Sequence, residues 1–344
     1  MSNYAIGWDI GGAHVKVAVI YKQKIMAVYQ EPCPLWQGLA KLEFAVQKLL
    51  HELPKDKNQR HALTMTGELV DLFHDRQDGV QQIIQVMTAL LGDVDSQIFC
   101  GKYGLLPVSK INSTHFEAIA SANWLASAML AAKHFSNCLF VDIGSTTTDI
   151  LLCENGEVSA QGFTDYTRLI SQELIYTGIV RTSVMAVVQS VFDNNQHVGV
   201  MAEYFATMAD VYRLTGELTE THDQNATADG AEKTIEASAR RLSRMVGDDF
   251  KIEKLVRWQN VAKDIRQQQL QRIQTGCVRQ LQRAAISNVP VIGAGIGRFL
   301  IRDISTNLNL SYIDFSTLFE KSNENLAFNP ADCAPAVAIA KQLL

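Results

Sequence analysis

The sequence predicts an α/β protein with two related domains that face each other across a central cleft. One strand-turn-strand pattern occurs twice, around Asp9 and again around Asp142, which is 133 positions further along the chain. Each copy has a buried apolar run, an aspartate, a turn of small residues and a second β-prone run. Segments with helical spacing alternate with further strands, which is typical of layered α/β folds. The repeat therefore indicates two halves with the same core topology.

The composition indicates a globular chain with enough apolar residues for two cores. It has 344 residues, of which 47% are hydrophobic and 19% are charged. The net charge of −5 gives no global field that would favour a nucleic-acid partner. No apolar run is long enough to span a membrane, and the polar first residues do not resemble a signal peptide. Six dispersed cysteines without a CxxC pair predict reduced, mostly buried thiols in a cytoplasmic protein.

The first half of the chain reads as three strands followed by alternating helices and strands. β-Branched and aromatic residues predict the strands, and apolar residues at helical spacing predict the helices. The predicted strands are 4–9, 14–21, 24–30, 61–65 and 97–100, and the predicted helices are 39–50 and 80–91. We place the first domain at residues 1–115.

The second half repeats the opening strands and then carries an insertion. Residues 113–117 predict the capped start of an Ala-rich helix that runs to about residue 133. We place the second domain at residues 116–344, with a long helical insertion at about 167–285. The other predicted elements are strands at 138–142 and 289–292, a loop at 219–230, and helices at 260–284 and 331–344. The domain on which the last helix packs is left open.

The two turns are the main candidate site. A Gly-rich turn after a strand exposes backbone N–H groups that can hold phosphate oxygens, and the preceding aspartate can hold a metal ion or its water shell. One copy alone would favour an ordinary tight turn, but two copies with matching flanks favour a phosphate and metal site. Lys16 is expected to point at the phosphates, and Asp149 occupies the matching position in the second copy. The candidates in the turns are Asp9, Gly11, Gly12, Asp142, Gly144, Ser145 and Thr146.

Three further sets of residues have both a functional and a structural interpretation. Gly293, Gly295 and the glycine at 297 form a phosphate site or only a strand-to-helix corner. Glu68 lies at a strand end, where open α/β sheets place ligands, or simply begins a helix. Arg168 and Arg181 would clamp an anionic substrate, although a solvated role is the more common one for such arginines. No HExxH, GxSxG or Cys/His nucleophile pattern is present.

The doubled Asp-Ile-Gly turn and the late Gly-rich turn resemble those of the superfamily that contains acetate and sugar kinases, Hsp70 and actin. The resemblance implies two ribonuclease-H-like domains around a nucleotide cleft. Six segments look like the hydantoinase/oxoprolinase-related proteins of the tetrahydromethanopterin-linked C1 transfer pathway, which include ether synthases of the methanofuran precursor. These segments are 64–69 (TMTGEL), 164–168 (TDYTR), 176–182 (YTGIVRT), 206–214 (ATMADVYRL), 229–238 (DGAEKTIEAS) and 331–336 (ADCAPA).

This narrower resemblance implies a transferase of methanofuran biosynthesis. It would join an aminomethyl-furan-methyl diphosphate to the phenol of γ-glutamyltyramine or tyramine and release diphosphate. Mg²⁺ would be the cofactor, held by Asp9, Asp142 and Asp149, and Glu68 would be the base that takes the phenolic proton. Asp9, Glu68 and Asp142 are thus the expected catalytic residues. The expected partners are small molecules only, a homodimer is left open, and ATP is left open but not favoured.

Two other classes of function remain open at the level of sequence. One is an ATP-dependent small-molecule kinase or a hydantoinase/oxoprolinase-like hydrolase, because a fold alone does not fix the reaction. The other is a nucleotide-gated clamp without turnover, as with actin or Hsp70. Binding of ATP, ADP and diphosphate, each with Mg²⁺, separates these alternatives.

Overall fold

The computed structural model describes residues 4–56, 58–284, 288–322 and 326–344. The described chain forms two compact units, and both are discontinuous in sequence. The first unit contains the described residues up to 138, together with 153–167 and the described part of 313–344. The second unit contains 139–152 and the described part of 168–312. Residues 1–3 and 285, which belong to the predicted domain and insertion boundaries, lie outside the described residues.

A six-stranded sheet forms the centre of the first unit, in the order β3-β2-β1-β4-β5-β6. Strand β1 pairs antiparallel with β2 and parallel with β4, so the predicted meander leads directly into a parallel layer. The elements up to residue 134 are β1 (Tyr4–Ile10), β2 (His14–Tyr21), β3 (Lys24–Pro32), α1 (Leu39–Glu52), β4 (Arg60–Met65), α2 (Arg76–Leu91), β5 (Asp95–Phe99), β6 (Leu105–Pro107), α3 (Phe116–Ile119) and α4 (Asn123–His134).

A second mixed sheet repeats this arrangement, in the order β10-β8-β7-β13-β14, with β9 also paired to β8. Strand β7 pairs parallel with β13, as β1 does with β4. The elements are β7 (Cys138–Ile143), β8 (Thr148–Glu154), β9 (Glu157–Val158), α5 (Asp165–Ser171), β10 (Leu174–Ile175), β11 (Ser190–Asp193), β12 (Gln196–Gly199), α6 (Met208–Thr215), α7 (Ile235–Arg244), α8 (Leu255–Ala284), β13 (Val291–Ala294), α9 (Arg298–Asn307), β14 (Tyr312–Asp314) and α10 (Ala334–Gln342). The insertion therefore contains a hairpin, β11–β12, besides helices.

Helix α10 packs against the first strand of the chain. A side chain at Gly7 of β1 would overlap the carbonyl oxygen of Ala336, so the helix backbone lies directly on the strand. Helix α4 packs against α10 in the same unit. Both helices therefore belong to the first compact unit although they follow residue 115 in sequence, with α10 on the sheet and α4 on α10. The domain boundary at residue 115 stays a prediction.

The predicted single helix from 113 to about 133 is wrong in its middle. A 3-10 turn at Ser113–His115 is capped by Asn112, not by a residue of the predicted cap, and it leads into the short α3. The chain then breaks before α4, and Ser121 takes a left-handed φ of 50°. A non-glycine residue in this region is uncommon and marks a position that its surroundings determine.

All six cysteines are buried and free, as predicted. Within the described ranges, no helix is both long enough and apolar enough to cross a membrane.

Candidate functional site

The first turn places Asp9 at the end of β1, where it is buried. The backbone N–H of Gly11 donates to the carbonyl of His14 at 2.9 Å, which closes the turn. The side-chain amide of Asn123, at the start of α4, donates to Oδ1 of Asp9 at 3.3 Å. The aspartate is therefore oriented by a helix that the sequence did not connect with it.

Two polar residues flank Asp9 on the neighbouring strands. Lys16 of β2 and Thr64 of β4 are both in register with it, so the three side chains lie on one face of the sheet. The ammonium of Lys16 donates to the backbone carbonyl of Asp332 at 3.1 Å. The hydroxyl of Thr64 is buried and has no partner within the described part of the chain. This group of a carboxylate, an ammonium and a hydroxyl suits a phosphate and a hydrated cation.

Glu68 lies on a 3-10 turn, Gly67–Leu69, that directly follows β4. Its residue exposure is only 1%. The hydroxyl of Ser121 donates to its Oε1 at 2.7 Å, and its Oε2 is buried without a partner among the described residues. A side chain at Gly79 would overlap the backbone of Glu68, so α2 packs tightly against the turn and fixes it. The turn that carries the carboxylate is therefore fixed, and one carboxylate oxygen has no bond to any described residue.

The surroundings of Glu68 determine its acidity. Burial raises the pKa of the Glu68 carboxyl above its usual range, because it disfavours the charged form, and the nearby Asp165 acts in the same direction. The Ser121 hydrogen bond and the Arg76 charge oppose this rise. A carboxylate with a raised pKa is a stronger base than an exposed one, which suits a group that takes a proton from a weak acid.

The second turn repeats the backbone of the first. The N–H of Gly144 donates to the carbonyl of Thr147 at 2.9 Å, at the same 133-residue offset as the bond that closes the first turn. The carbonyl of Ser145 accepts from the N–H groups of Val180 and Arg181, at 3.0 and 2.9 Å. The hydroxyl of Thr182 donates to the carbonyl of Thr146 at 3.3 Å. The segment 176–182, one of the six family-like segments, thus holds this turn by hydrogen bonds to its backbone carbonyls.

The late glycines are explained mainly by packing. Gly295 has a φ of 79°, and a side chain there would overlap the carboxylate of Asp142 and the carbonyl of Ile143. A side chain at Gly293 would lie 2.5 Å from the ring of Tyr312. Gly295 therefore belongs to the wall around Asp142, whereas Gly293 makes room for a protein side chain. The phosphate role of both glycines remains a prediction.

The two candidate arginines have different surroundings. The side chain of Arg168 is only 2% exposed and its guanidinium donates to Asp149 at 2.7 Å and to the carbonyl of Glu173 at 3.1 Å. It therefore supports the fold around Asp149, which favours the structural interpretation. Arg181 lies next to the second turn, and its guanidinium reaches the hydroxyl of Thr146 at 3.5 Å. Of the two, Arg181 is the better placed to meet an anion.

The donor groups fit magnesium at the aspartates that precede the turns. No three His, Cys, Asp or Glu side chains in the described ranges gather as a ready metal cage. Mg²⁺ is commonly held by one or two carboxylates with water and substrate phosphates, so Asp9 and Asp142 suit it as single ligands. Asp149 suits it less, because the Arg168 guanidinium already binds its Oδ1.

Comparison with known structures defines the class of fold. The chain matches a nucleotide-free structure of acetone carboxylase over 99% of its own length and 70% of that chain, with a TM-score of 0.60 and 11% identity. Together with the two mixed sheets of similar strand order, this match confirms the predicted α/β fold with two related sheets.

The chain belongs to the hydantoinase/oxoprolinase family, whose model matches residues 59–329. It is similar to (4-{4-[2-(γ-L-glutamylamino)ethyl]phenoxymethyl}furan-2-yl)methanamine synthase of Methanocaldococcus jannaschii, with 28% identity over 98% of this chain and 97% of that protein. The synthase of the same name from Methanococcus vannielii is 27% identical over 51% of this chain and 78% of that protein.

Proposed function

We propose that this chain is a transferase of methanofuran-type cofactor biosynthesis that forms an aryl-alkyl ether. The substrates are an aminomethyl-furan-methyl diphosphate and the phenol of γ-glutamyltyramine or tyramine, and the second product is diphosphate. The support for this substrate class is the archaeal synthase that matches almost the whole chain, since its name describes a phenoxymethyl-furan product.

The main support for this type of reaction is the burial of the Glu68 carboxylate, with one oxygen available to accept a proton. A phenol has a pKa of about 10, so it needs a base as its oxygen becomes a nucleophile. Glu68 offers a buried Oε2 that has no partner among the residues the structure describes, while the Ser121 hydroxyl donates to the other oxygen at 2.7 Å. We assign Glu68 as the base that takes the phenolic proton.

The rest of the reaction follows from the chemistry of the furan. The bond between the methyl carbon and diphosphate breaks with its electron pair leaving on diphosphate, and the phenol oxygen forms the new bond to that carbon. The ring oxygen stabilises positive charge on the carbon, so no covalent enzyme intermediate is needed. Exclusion of water would protect this carbon from hydrolysis.

The phosphate-binding groups are assigned separately in each unit. In the first unit, Lys16 would bind a diphosphate oxygen and Asp9 would hold Mg²⁺. In the second, Asp142 would hold Mg²⁺, and Gly144, Ser145, Thr146 and Arg181 would bind phosphate oxygens. Magnesium, when bound, would neutralise the charge that develops on the departing diphosphate.

Incubation of the protein with the furan-methyl diphosphate, tyramine or γ-glutamyltyramine and Mg²⁺ tests the proposal. We expect the ether and one equivalent of diphosphate, detected by mass spectrometry and a diphosphate assay. Glu68→Gln should slow ether formation roughly a hundredfold or more while leaving diphosphate binding within a factor of about two. A folded, Mg²⁺-loaded protein that forms no ether but hydrolyses ATP would instead be a kinase or hydrolase. ATP binding without turnover would indicate the clamp.

A further inference from the structure

The break between α3 and α4 brings a hydroxyl group to Glu68. Ser121 lies in the break, and its left-handed backbone is a conformation that serine rarely adopts. Its hydroxyl is buried and lies 2.7 Å from Oε1 of Glu68. An uninterrupted helix would be the default for this Ala-rich run, so the local conformation is maintained by the surrounding contacts.

The same hydroxyl also faces a second carboxylate. Oδ2 of Asp165, at the start of α5, lies 3.4 Å from the Ser121 hydroxyl. The guanidinium of Arg76 donates to the same Oδ2 at 2.7 Å. The side chains of Asp165 and Arg76 are 17% and 35% exposed, whereas Glu68 is almost completely buried. Exposure therefore increases along the series from Glu68 through Ser121 to Asp165.

We infer that Ser121 and Asp165 form a proton relay that returns Glu68 to its ionised form after each turnover. This inference rests on the proposed function, since it requires Glu68 to take a proton from the phenol. Among the described residues, the side chains of Ser121, Arg76 and Asp165 act on the Glu68 carboxyl, and all three belong to the relay or adjoin it.

Each step of the relay moves one proton from a donor to an acceptor. A serine hydroxyl carries one hydrogen and two lone pairs, so it can donate to a carboxylate while it accepts from a protonated carboxyl group. With Glu68 ionised, Ser121 donates to Glu68. Once Oε2 of Glu68 has taken the phenolic proton, rotation of the carboxyl group about its Cγ–Cδ bond exchanges the two oxygens. The O–H then donates to Ser121, and the serine hydrogen turns to Asp165. The proton then passes from Glu68 to Ser121, the serine proton passes to Asp165, and Asp165 releases it to water or buffer.

The test compares Asp165→Asn with a matched control. Asparagine keeps the size of the side chain and one acceptor oxygen but cannot take up the proton. We expect kcat for ether formation to fall roughly tenfold to a hundredfold, with the KM for the diphosphate substrate within a factor of about two. Imidazole added at constant pH and ionic strength should restore kcat, because a small base can replace a missing proton acceptor. Asp95→Asn removes the carboxylate of another Arg–Asp pair, which joins Arg60 at 3.2 Å, and should leave kcat unchanged.

A second pair of variants tests the serine. Ser121→Ala should lower kcat as Asp165→Asn does, whereas Ser127→Ala, which removes a buried hydroxyl from α4, should not. Wild-type ether formation with full kcat in both relay variants would contradict the relay alone. A loss of kcat that imidazole never restores would also contradict it, since it would indicate a structural role. Absence of ether with the wild type would contradict the proposed function and the relay together.

Discussion

The burial and the single hydrogen bond that would make Glu68 a good base also lower the stability of the folded protein when Glu68 is charged. The fold buries the carboxyl and gives it one hydroxyl partner, so the charged form is less well solvated than it would be in the unfolded chain. Such a group favours the folded state fully only while it is protonated. The stability of the protein should therefore depend on pH through this residue.

Glu68→Gln should reveal that dependence. Because the folded pKa is raised, the contribution of Glu68 to stability is fully present below its ordinary pKa and is lost as pH rises through the folded value. Glutamine mimics the protonated form at every pH and still accepts from Ser121. The melting temperatures of the variant and the wild type should thus be similar near pH 4, and the variant should become the more stable of the two as pH rises. Thermal unfolding from pH 4 to 8 measures this, and a difference that does not change with pH would contradict it.

Sequence could anticipate Glu68 but not its partners. A carboxylate directly after a strand is a local signal, and the end of a parallel strand is where ligands are expected. Ser121 and Asp165 are 53 and 97 positions further along the chain, and no pattern near them indicates the contact. Arg168 shows the same limit, since its partner Asp149 decides between a structural and a binding role.

At the scale of elements, glycine determines how closely α10 approaches β1. Position 7 needs glycine because any side chain there would overlap the backbone at Ala336, not because of the backbone conformation of glycine. Sequence predicted both the strand and the helix but left the domain of the helix open. The strand and the helix are more than 300 residues apart, and their close contact depends on the absence of a Cβ atom at one position. No local sequence pattern indicates such a contact.

Gly7→Ala should therefore destabilise the first unit. The added methyl overlaps the α10 backbone, which cannot move aside as a flexible side chain would, and overpacking of this kind costs about 1–3 kcal/mol or more. Gly199→Ala is the control, because a methyl group there meets nothing within 4 Å. Urea denaturation of both variants gives the free energies of unfolding. Equal stability of the two variants would show that α10 does not lie directly on β1.

At the scale of the whole molecule, the doubled turn is the feature that the sequence predicted best. The hydrogen bonds that close the two turns have the same length and join residues three positions apart in both turns. The strands around the turns also pair in the same way. The repeat is visible because it is encoded locally in each copy. The discontinuous units were not visible, since they depend on which distant segments pack together.

The two turns should each be necessary for magnesium-dependent binding of diphosphate. We expect Asp9→Asn and Asp142→Asn each to weaken it roughly tenfold or more while the circular dichroism spectrum stays unchanged. Asp149→Asn should retain the magnesium dependence, because that carboxylate is bound to Arg168. Titration calorimetry with diphosphate, with and without Mg²⁺, measures all three. Wild-type affinity in either of the first two variants would remove that aspartate from the metal site.

Because α10 packs on β1, the first strand has to be synthesised long before the helix that covers it. Ribosomes add about 5–20 residues per second, so roughly 15 to 65 s separate the appearance of the first strand from that of the helix that covers it. During that interval the face of β1 around Gly7 lacks its native cover, while α1 and α2 are already available for the opposite face. The helix that covers one side of this sheet is thus synthesised long after the helices for the other side.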